Sequence, residues 1–191
     1  MAGGGSLKHY NHEGRSRWQD APAILAQIGL KSGDTMADIG AGDGYFSIPA
    51  AKIVGNSGSI LALDAYPEAI SDLNTAASVA GLNNIKTTLG EAEKTILCTD
   101  CADLVLMANV LHDFNEPVAA LKNARLMLKS GGRLVDLDWK KESDQPFGPP
   151  FAIRFNQEKA AALLEKAGFK VISSELVGPY HYLLIAKPAC Y

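Results

Sequence analysis

The stretch Ala37-Asp38-Ile39-Gly40-Ala41-Gly42-Asp43-Gly44-Tyr45-Phe46 decides the fold of this chain. The short apolar run at its start predicts a buried strand, and apolar residues at helical spacing over 46–54 predict a helix after it. The alternating glycines between them predict a tight turn, because glycine adopts positive φ at little cost and lets a ligand approach the backbone. The helix N-terminus behind this turn offers free N–H groups and a positive dipole end. The sequence therefore predicts a strand, a ligand-binding turn and a helix.

The spacing of the glycines separates two kinds of nucleotide site. A dinucleotide fingerprint, G-x-G-x-x-G, would need its third glycine at position 45, where the chain has Tyr45. The pattern here is instead D-x-G-x-G-x-G, which begins at Asp38. It resembles motif I of the class I S-adenosylmethionine-dependent methyltransferases. The resemblance implies S-adenosylmethionine as cofactor, S-adenosylhomocysteine as product, and a set of cofactor-binding residues in this stretch: Asp38, Gly40, Ala41, Gly42, Gly44 and Tyr45.

Apolar strand patterns alternate with helical patterns along the rest of the chain. The predicted strands lie at 36–39, 59–63, 84–89, 103–108, 133–137, 169–177 and 180–187, and the predicted helices at 18–29, 46–54, 67–80, 116–128 and 157–167. Strands that are nearly all apolar favour a parallel sheet covered on both faces. The strand count and the closing hairpin resemble the methyltransferase fold, whose last strand is antiparallel. We therefore expect an α/β fold: a Rossmann-like, doubly wound, mostly parallel seven-stranded sheet with an antiparallel strand in its C-terminal hairpin and helices on both faces.

Polar residues follow the carboxyl ends of several predicted strands, where ligands bind in open α/β sheets. Asp64 follows the second strand at the position where an acid accepts the hydroxyls of a ribose, and the alternative is that it caps the next helix. The resemblance implies further cofactor contacts from five residues that follow the second, third and fourth strands: Ala65, Glu91, Ala92, Asn109 and Val110. Glu91 would otherwise be a solvated loop carboxylate. The glycine turn, Asp64, residues 109–112 and Asp138 should all meet at one edge of the sheet.

His112 is the candidate catalytic residue. Its ordinary pKa of about 6.5 suits it to take a proton from a hydroxyl, a thiol or a carbon acid. The alternative is a hydrogen-bonded structural histidine at a strand end. Residues that contact the methyl acceptor are expected in two irregular segments, 10–18 and 139–154, and are Tyr10, Arg15, Trp139 and Arg154. An arginine can hold an anionic group through its planar fork, and the alternative for each arginine is a place on the surface.

Length and composition limit the number of domains and the classes of protein that this sequence can represent. The 191 residues suffice for one domain with a full core, and the net charge of −3 shows no basic excess for nucleic acid. Methyltransferases that act on amino groups of nucleic acid usually carry an N-P-P-Y turn where this chain has Asn109 without the prolines. No apolar run reaches the about 18 residues of a membrane span and no signal-peptide pattern is present, so we expect a cytoplasmic protein. Residues 1–6 are expected to be a tag or disordered tail, and 7–191 a single methyltransferase domain, monomeric or homodimeric.

The three cysteines are an odd number, which argues against a disulfide framework. Cys98 and Cys101 form a lone C-x-x-C without the second ligand pair of a zinc site, so we expect two partly buried thiols and no metal. The resemblance implies in-line methyl transfer to an O, S or C atom of a small molecule. Three alternatives remain open: an NAD(P)-dependent oxidoreductase, a non-catalytic S-adenosylmethionine-binding protein, and an arsenite methyltransferase with Cys98 and Cys101 as metalloid ligands.

Overall fold

Seven strands form one sheet in the computed structural model, which describes residues 12–142 and 148–189. They are β1 (Thr35–Ile39), β2 (Ser59–Asp64), β3 (Ile85–Leu89), β4 (Ala102–Ala108), β5 (Leu128–Trp139), β6 (Phe169–Val177) and β7 (His181–Pro188). Their order is β3-β2-β1-β4-β5-β7-β6, and β7 is antiparallel to β5 and β6 while the other pairs are parallel. The predicted fold class is confirmed. The expected tail at 1–6 lies outside the described residues.

Helices cover both faces of this sheet. They are α1 (His12–Ser16), α2 (Ala21–Gln27), α3 (Ser47–Val54), α4 (Pro67–Val79), α5 (Pro117–Met127) and α6 (Gln157–Lys166). Alternate residues of a strand face opposite sides: Met36 and Leu104 pack in the layer of α2 and α3, whereas Ala37 and Val105 pack in the layer of α5 and α6. Both sides of the central strands are therefore buried, as their apolar sequences predict. Within the described ranges, no helix has the length and apolar character needed to cross a membrane.

Three element boundaries differ from the prediction. Helix α2 begins at Ala21, not at residue 18, because the side chain of Asp20 caps it by accepting the N–H of Ala23 at 3.1 Å. The predicted turn at 129–132 is an irregularity inside β5, where the pairing with β4 shifts register. Trp139, which was predicted to begin an irregular segment, ends β5 because it pairs with His181 of β7. Strand β5 is therefore longer than predicted and ends at the carboxyl edge of the sheet.

The direction of the chain across the sheet reverses beside β1. The chain proceeds outward from β1 to β2 and β3 and then returns to β4 on the other side of β1. Ligands of open α/β sheets bind at such a reversal, beyond the carboxyl ends of the strands. The N–H groups of Gly40 and Ala41 donate to the carbonyl oxygen of Leu63 at 2.8 and 3.0 Å, and these bonds hold the ends of β1 and β2 together. The fold thus places the glycine turn at the expected binding edge.

Cys98 and Cys101 form a disulfide, so the prediction of two thiols is wrong. Their Cα atoms are 6.0 Å apart, within the range that a disulfide spans. The exposed turn at Thr99 and Asp100, with a φ of 48° at Asp100, brings the two cysteines together. An odd number of cysteines does not prevent such a local pair. The disulfide precedes β4 and therefore lies at the amino end of that strand.

His181 is a fully buried histidine in an aromatic cluster. Its ring stacks on Trp18 at a centroid distance of 5.4 Å and lies 4.3 Å from the ring of Trp139. Neither of its ring nitrogens has a hydrogen-bond partner among the described residues. Burial, followed by the positive charges of Arg15, Lys140 and Arg154, lowers the pKa of His181 to about 3. His181 is therefore neutral in the folded protein over most of the acidic range.

Acidification should destabilise the fold through His181. The unfolded chain binds a proton at this residue near pH 6.5 and the folded chain near pH 3, so the free energy of unfolding decreases as the pH falls between these values. Between pH 7 and pH 4 this loss amounts to about 3 kcal/mol. We expect His181→Phe, which keeps an aromatic ring, to lose less stability than the wild type over this interval in urea unfolding. Equal losses in the two proteins would contradict this assignment.

Candidate cofactor and acceptor site

A cleft of about 700 Å³ opens at the carboxyl edge of the sheet, a volume typical of ligand sites. Its walls come from the glycine turn after β1, the ends of β2, β3, β4 and β5, and residues 148–153. It brings together most of the residues predicted from the sequence: Arg15, Gly40, Gly42, Asp64, Ala65, Glu91, Ala92, Asn109, Val110, His112 and Trp139. The strand ends that were predicted to meet at one edge of the sheet therefore line a single cleft.

The three glycines of the turn have positive φ angles but different surroundings. A Cβ on Gly40 would lie 2.6 Å from Val110, and one on Gly44 would lie 2.5 Å from Leu73. A Cβ on Gly42 would have no neighbour within 4 Å, and Gly42 lines the cleft. Gly40 and Gly44 are thus required for packing, whereas Gly42 leaves room for a ligand against the backbone.

Gly42→Ala and Gly44→Ala form a matched pair of variants. Both place an alanine in the left-handed region and share that cost. Gly44→Ala additionally overpacks the contact with Leu73, so we expect it to be less stable than Gly42→Ala by about 1–3 kcal/mol. Urea unfolding of the two variants measures this difference. We expect Gly42→Ala to affect mainly S-adenosylhomocysteine binding, and equal stabilities of the two variants would contradict the distinction.

Asp64 holds the glycine turn against the end of β2. Its carboxylate accepts the N–H of Gly42 at 2.8 Å and the N–H of Tyr66 at 3.0 Å. Tyr66, and not Asp64, is the N-cap residue of α4, and no side chain caps that helix. The alternative of a helix cap at Asp64 is therefore removed. The carboxylate lies in the cleft wall beside Gly42.

Several predicted cofactor residues lie behind the cleft wall. Asp38 is buried and accepts the hydroxyl of Ser47 at 2.6 Å, and burial raises its pKa to about 6. Ala41 is buried and its N–H is bonded to β2, Gly44 packs on Leu73, and the hydroxyl of Tyr45 donates to the carbonyl oxygen of Gln19. None of these four lines the cleft. They shape the turn from the core side: Asp38 contacts α3, Gly44 contacts α4, and Tyr45 contacts the segment between α1 and α2.

His112 carries the strongest chemical feature of the cleft. It lies in the short turn that follows β4, and its Nδ1–H donates to the carboxylate of Asp138 at the end of β5, at 2.7 and 2.9 Å. Its other nitrogen, Nε2, lies 3.5 Å from the carboxylate of Asp113. Burial alone would lower the pKa of His112, but the hydrogen bond and charge of Asp138 outweigh burial and raise it above 6.5. The bonds to Asp138 therefore engage Nδ1 and fix the orientation of the imidazole ring in the cleft wall.

Asp136 is a second buried carboxyl on the same face of β5. Burial, and then the negative charge of Asp138, raise the pKa of Asp136 well above 3.8. Burial likewise raises the pKa of Tyr182, which pairs with Asp138 across β5 and β7. Burial therefore favours the uncharged forms of the Asp136 carboxyl and the Tyr182 hydroxyl.

The residues predicted to contact the acceptor have different surroundings. Trp139 and Arg15 line the cleft. Arg154 is buried, and its guanidinium donates to the carbonyl oxygens of Pro149, Glu142 and Lys140 at 2.8, 3.3 and 3.4 Å. It therefore anchors the backbone at residues 140, 142 and 149 and is not among the residues that line the cleft. Tyr10 lies outside the described residues.

A model of the methyltransferase domain family matches residues 30–178 of the chain. The chain belongs to this family. Among solved structures, the methyltransferase is similar to an S-adenosylmethionine-dependent methyltransferase from Aquifex aeolicus, with a TM-score of 0.87 and 27% identity over 94% of this chain and 100% of the other. This membership removes the alternative of an NAD(P)-dependent oxidoreductase.

Two curated relatives extend the comparison. One is a probable cobalt-precorrin-6B C(15)-methyltransferase from Methanosarcina mazei, 43% identical over 84 residues, which cover 41% of this chain and 45% of the relative. The other is a ubiquinone/menaquinone biosynthesis C-methyltransferase from Marinomonas, 25% identical over 122 residues, which cover 63% of this chain and 49% of the relative. The methyltransferase therefore matches about half of the length of each.

The residues of the cleft fit S-adenosylmethionine. The open side of Gly42 leaves room for the ligand against the backbone, and the adjacent Asp64 carboxylate can accept hydroxyl groups of a sugar. Ala92 provides a small apolar wall after β3, where the family places the adenine. Glu91, also in this wall, is exposed and pairs with Lys94 at 2.7 Å, as expected for a loop carboxylate.

Part of the cleft wall is apolar. Beyond His112 and Trp139, residues from two connections line it: Phe114, Pro149, Pro150 and Ile153. The sequence analysis assigns no role to Asp138 or to these four residues. The signal for Asp138 was its position after a predicted strand, and the signal for Pro149, Pro150 and Ile153 was the Pro-Pro pair in an irregular segment. These four residues thus give part of the cleft wall an apolar surface.

The disulfide of the methyltransferase lies away from this cleft. Strand β4 begins one residue after Cys101 and ends at the cleft, and its seven residues span about 20 Å. Cys98 and Cys101 are not among the cleft residues. A metalloid held by these cysteines would therefore be far from a methyl group bound at the glycine turn, and the arsenite alternative loses its structural basis.

The double variant Cys98→Ser and Cys101→Ser tests the role of the disulfide. Closing so short a loop constrains the unfolded chain, so we expect the variant to lose about 2 kcal/mol of stability. Its S-adenosylhomocysteine affinity should equal that of the wild type, because the cleft is at the other end of β4. Thermal unfolding and calorimetric titration measure the two quantities. A large loss of affinity at full stability would contradict this separation.

Proposed function

We propose that the protein transfers the methyl group of S-adenosylmethionine to a nucleophilic O, S or C atom of a small molecule, with His112 as general base. The observation that carries this proposal is the buried His112–Asp138 pair, with Nδ1 bonded at 2.7 Å, at the cleft that the glycine turn also lines. In a protein that only bound the cofactor, this pair would have a structural role alone, whereas in an enzyme His112 can also accept a proton. An activity screen distinguishes the two functions.

The residues of the chain have separable tasks in this reaction. The glycine turn and Asp64 hold the nucleoside, which when bound supplies a methyl group on a positively charged sulfonium. His112 would take the proton of the acceptor at Nε2, and the electron pair freed on the acceptor would form the new bond to the methyl carbon. The carbon–sulfur bond would break in the same step, with its electron pair left on the sulfur of S-adenosylhomocysteine. Asp138 stabilises the resulting imidazolium and fixes the ring. Alignment in a closed cleft can lower the barrier by about 7–11 kcal/mol, so few catalytic side chains are needed.

The chemistry of the acceptor end favours a small molecule with an apolar surface and a removable proton. The walls at Phe114, Trp139 and Ile153 match an aromatic or polycyclic surface, and His112 is the base for its hydroxyl, thiol or acidic carbon. The names of the two curated relatives concern C-methylation in precorrin and quinone biosynthesis, so carbon is included among the nucleophiles. The absence of an N-P-P-Y sequence after β4 supports an acceptor other than nucleic acid.

The test is a binding experiment followed by an activity screen. We expect calorimetry to detect S-adenosylhomocysteine binding and no NAD binding. A screen of phenols, quinols, thiols and tetrapyrroles with S-adenosylmethionine should then yield a methylated product, detected by mass spectrometry together with S-adenosylhomocysteine. Binding without a product from any acceptor class would support the non-catalytic alternative. Preference for NAD would overturn the proposal.

A further inference from the structure

Gln19 joins the N-terminal segment to the end of β4. It lies between α1 and α2, outside the residues that match the family, and it is completely buried. Its side-chain amide forms a reciprocal pair with that of Asn109. The Asn109 amide nitrogen donates to Gln19 at 3.1 Å, and the Gln19 amide nitrogen donates to Asn109 at 3.4 Å. A buried polar side chain of this kind is costly unless both partners stay in place.

Asn109 needs such support because its backbone is in the left-handed region, with φ 61°. This conformation is unfavourable for residues other than glycine, although asparagine tolerates it better than most. Asn109 lines the cleft directly after β4, and the turn that carries His112 begins two residues later. The conformation of Asn109 therefore sets the direction in which the chain leaves β4 toward His112.

Gln19 also contacts two other parts of the cleft wall. Its side-chain oxygen accepts the Nε–H of Arg15 at 2.7 Å, and Arg15 lines the cleft and lies over the ring of Tyr45 at 3.9 Å. Its backbone carbonyl accepts the hydroxyl of Tyr45, which follows the glycine turn. One residue thus connects α1, the glycine turn and the end of β4.

We propose that Gln19 is a positioning residue for methyl transfer. By bonding Asn109 and Arg15 together, it couples the docking of the N-terminal segment on the glycine turn to the conformation of the chain that leads to His112. This inference rests on the proposed function, because it assigns to Gln19 the support of the same cofactor and acceptor site.

A double-mutant cycle on Gln19 and Asn109 tests the coupling. S-adenosylhomocysteine affinity is measured by calorimetry for Gln19→Ala, Asn109→Ala and the double variant. We expect each single variant to bind S-adenosylhomocysteine about tenfold more weakly than the wild type, which corresponds to the loss of one or two hydrogen bonds. The double variant should bind it no more weakly than the weaker of the two single variants. The inference would be overturned if the fold-loss of affinity in the double variant equalled the product of the two single losses, or if Gln19→Ala bound with wild-type affinity.

Two further variants separate positioning from loss of folding. Gln27→Ala is the matched control, because Gln27 is an exposed glutamine on α2 that donates to Glu175 at 2.8 Å, and it should leave the affinity unchanged. Gln19→Glu keeps the acceptor for Arg15 and for the Asn109 amide nitrogen, so it should recover part of the affinity lost in Gln19→Ala. No recovery by Gln19→Glu at full stability would count against positioning. Failure of the wild type to bind S-adenosylhomocysteine would instead overturn the proposed function.

Discussion

Replacement of His112 by glutamine should lower kcat by about 10²- to 10⁴-fold, the usual contribution of a general base, and leave S-adenosylhomocysteine affinity at the wild-type level. Glutamine has a similar size and polarity but cannot accept the proton of the acceptor. The cofactor affinity should persist because the glycine turn and Asp64, which we propose to bind the nucleoside, lie on other elements. Steady-state kinetics with the acceptor found by the screen and calorimetry measure the two effects. An unchanged kcat would exclude His112 as the base.

The pH dependence of kcat/KM is a second test of His112 as the base. His112 must be neutral to accept a proton, and Asp138 raises its pKa above 6.5, so activity should fall as the pH decreases through that raised pKa. In Asp138→Asn the charge is absent and burial lowers the pKa of His112, which moves the acidic limb to lower pH. Asp113→Asn is the control, because Asp113 is half exposed and 3.5 Å from Nε2, and its effect should be smaller. An acidic limb at the same pH in Asp138→Asn would contradict the assignment.

Asp64→Ala should weaken S-adenosylhomocysteine binding by about 1–3 kcal/mol, or roughly 5- to 150-fold. The substitution removes the proposed acceptor of the ribose hydroxyls and also leaves the N–H groups of Gly42 and Tyr66 without their partner. Both effects act on the wall against which the nucleoside would lie. Calorimetric titration gives the change in affinity, and urea unfolding shows how much of it comes with lost stability.

Glu91→Ala is the matched control for Asp64→Ala. Glu91 is another carboxylate of the cleft, but it is exposed and paired with Lys94, so its removal should change the affinity little. The comparison distinguishes a specific carboxylate from a general effect of negative charge. Equal losses in the two variants, or wild-type affinity in Asp64→Ala, would end the assignment of Asp64 to the ribose.

Local patterns in the sequence predict the fold and the place of the glycine turn, whereas four of the residues expected to bind the cofactor lie behind the cleft wall. The spacing of Gly40, Gly42 and Gly44 requires positive φ at each, and the structure has it. The apolar strands predict a sheet buried on both faces, and parallel strands place their carboxyl ends at one edge. Asp64 and His112 follow such ends directly, so their positions in the cleft follow from the topology.

Local sequence patterns cannot predict features that depend on the register between distant strands. The His112–Asp138 bond requires the true end of β5, which lies beyond the predicted end at residue 137 because β7 pairs with Asp138 and Trp139. Arg154 was expected at the acceptor, but carbonyl groups of its own region surround it. The Cys98–Cys101 bond depends on a local turn that no periodicity reveals. In each case the partner of a side chain, and not its type, decides its role.

The apolar part of the cleft wall also bears on how the preference for a methyl acceptor can change. Ile153 lines the cleft and is still 40% exposed, and its neighbour Phe151 is 49% exposed. Because these side chains contribute little to the core, substitutions there cost little folding free energy. New acceptor preferences can therefore arise in this connection during evolution while the cofactor wall and the sheet stay unchanged.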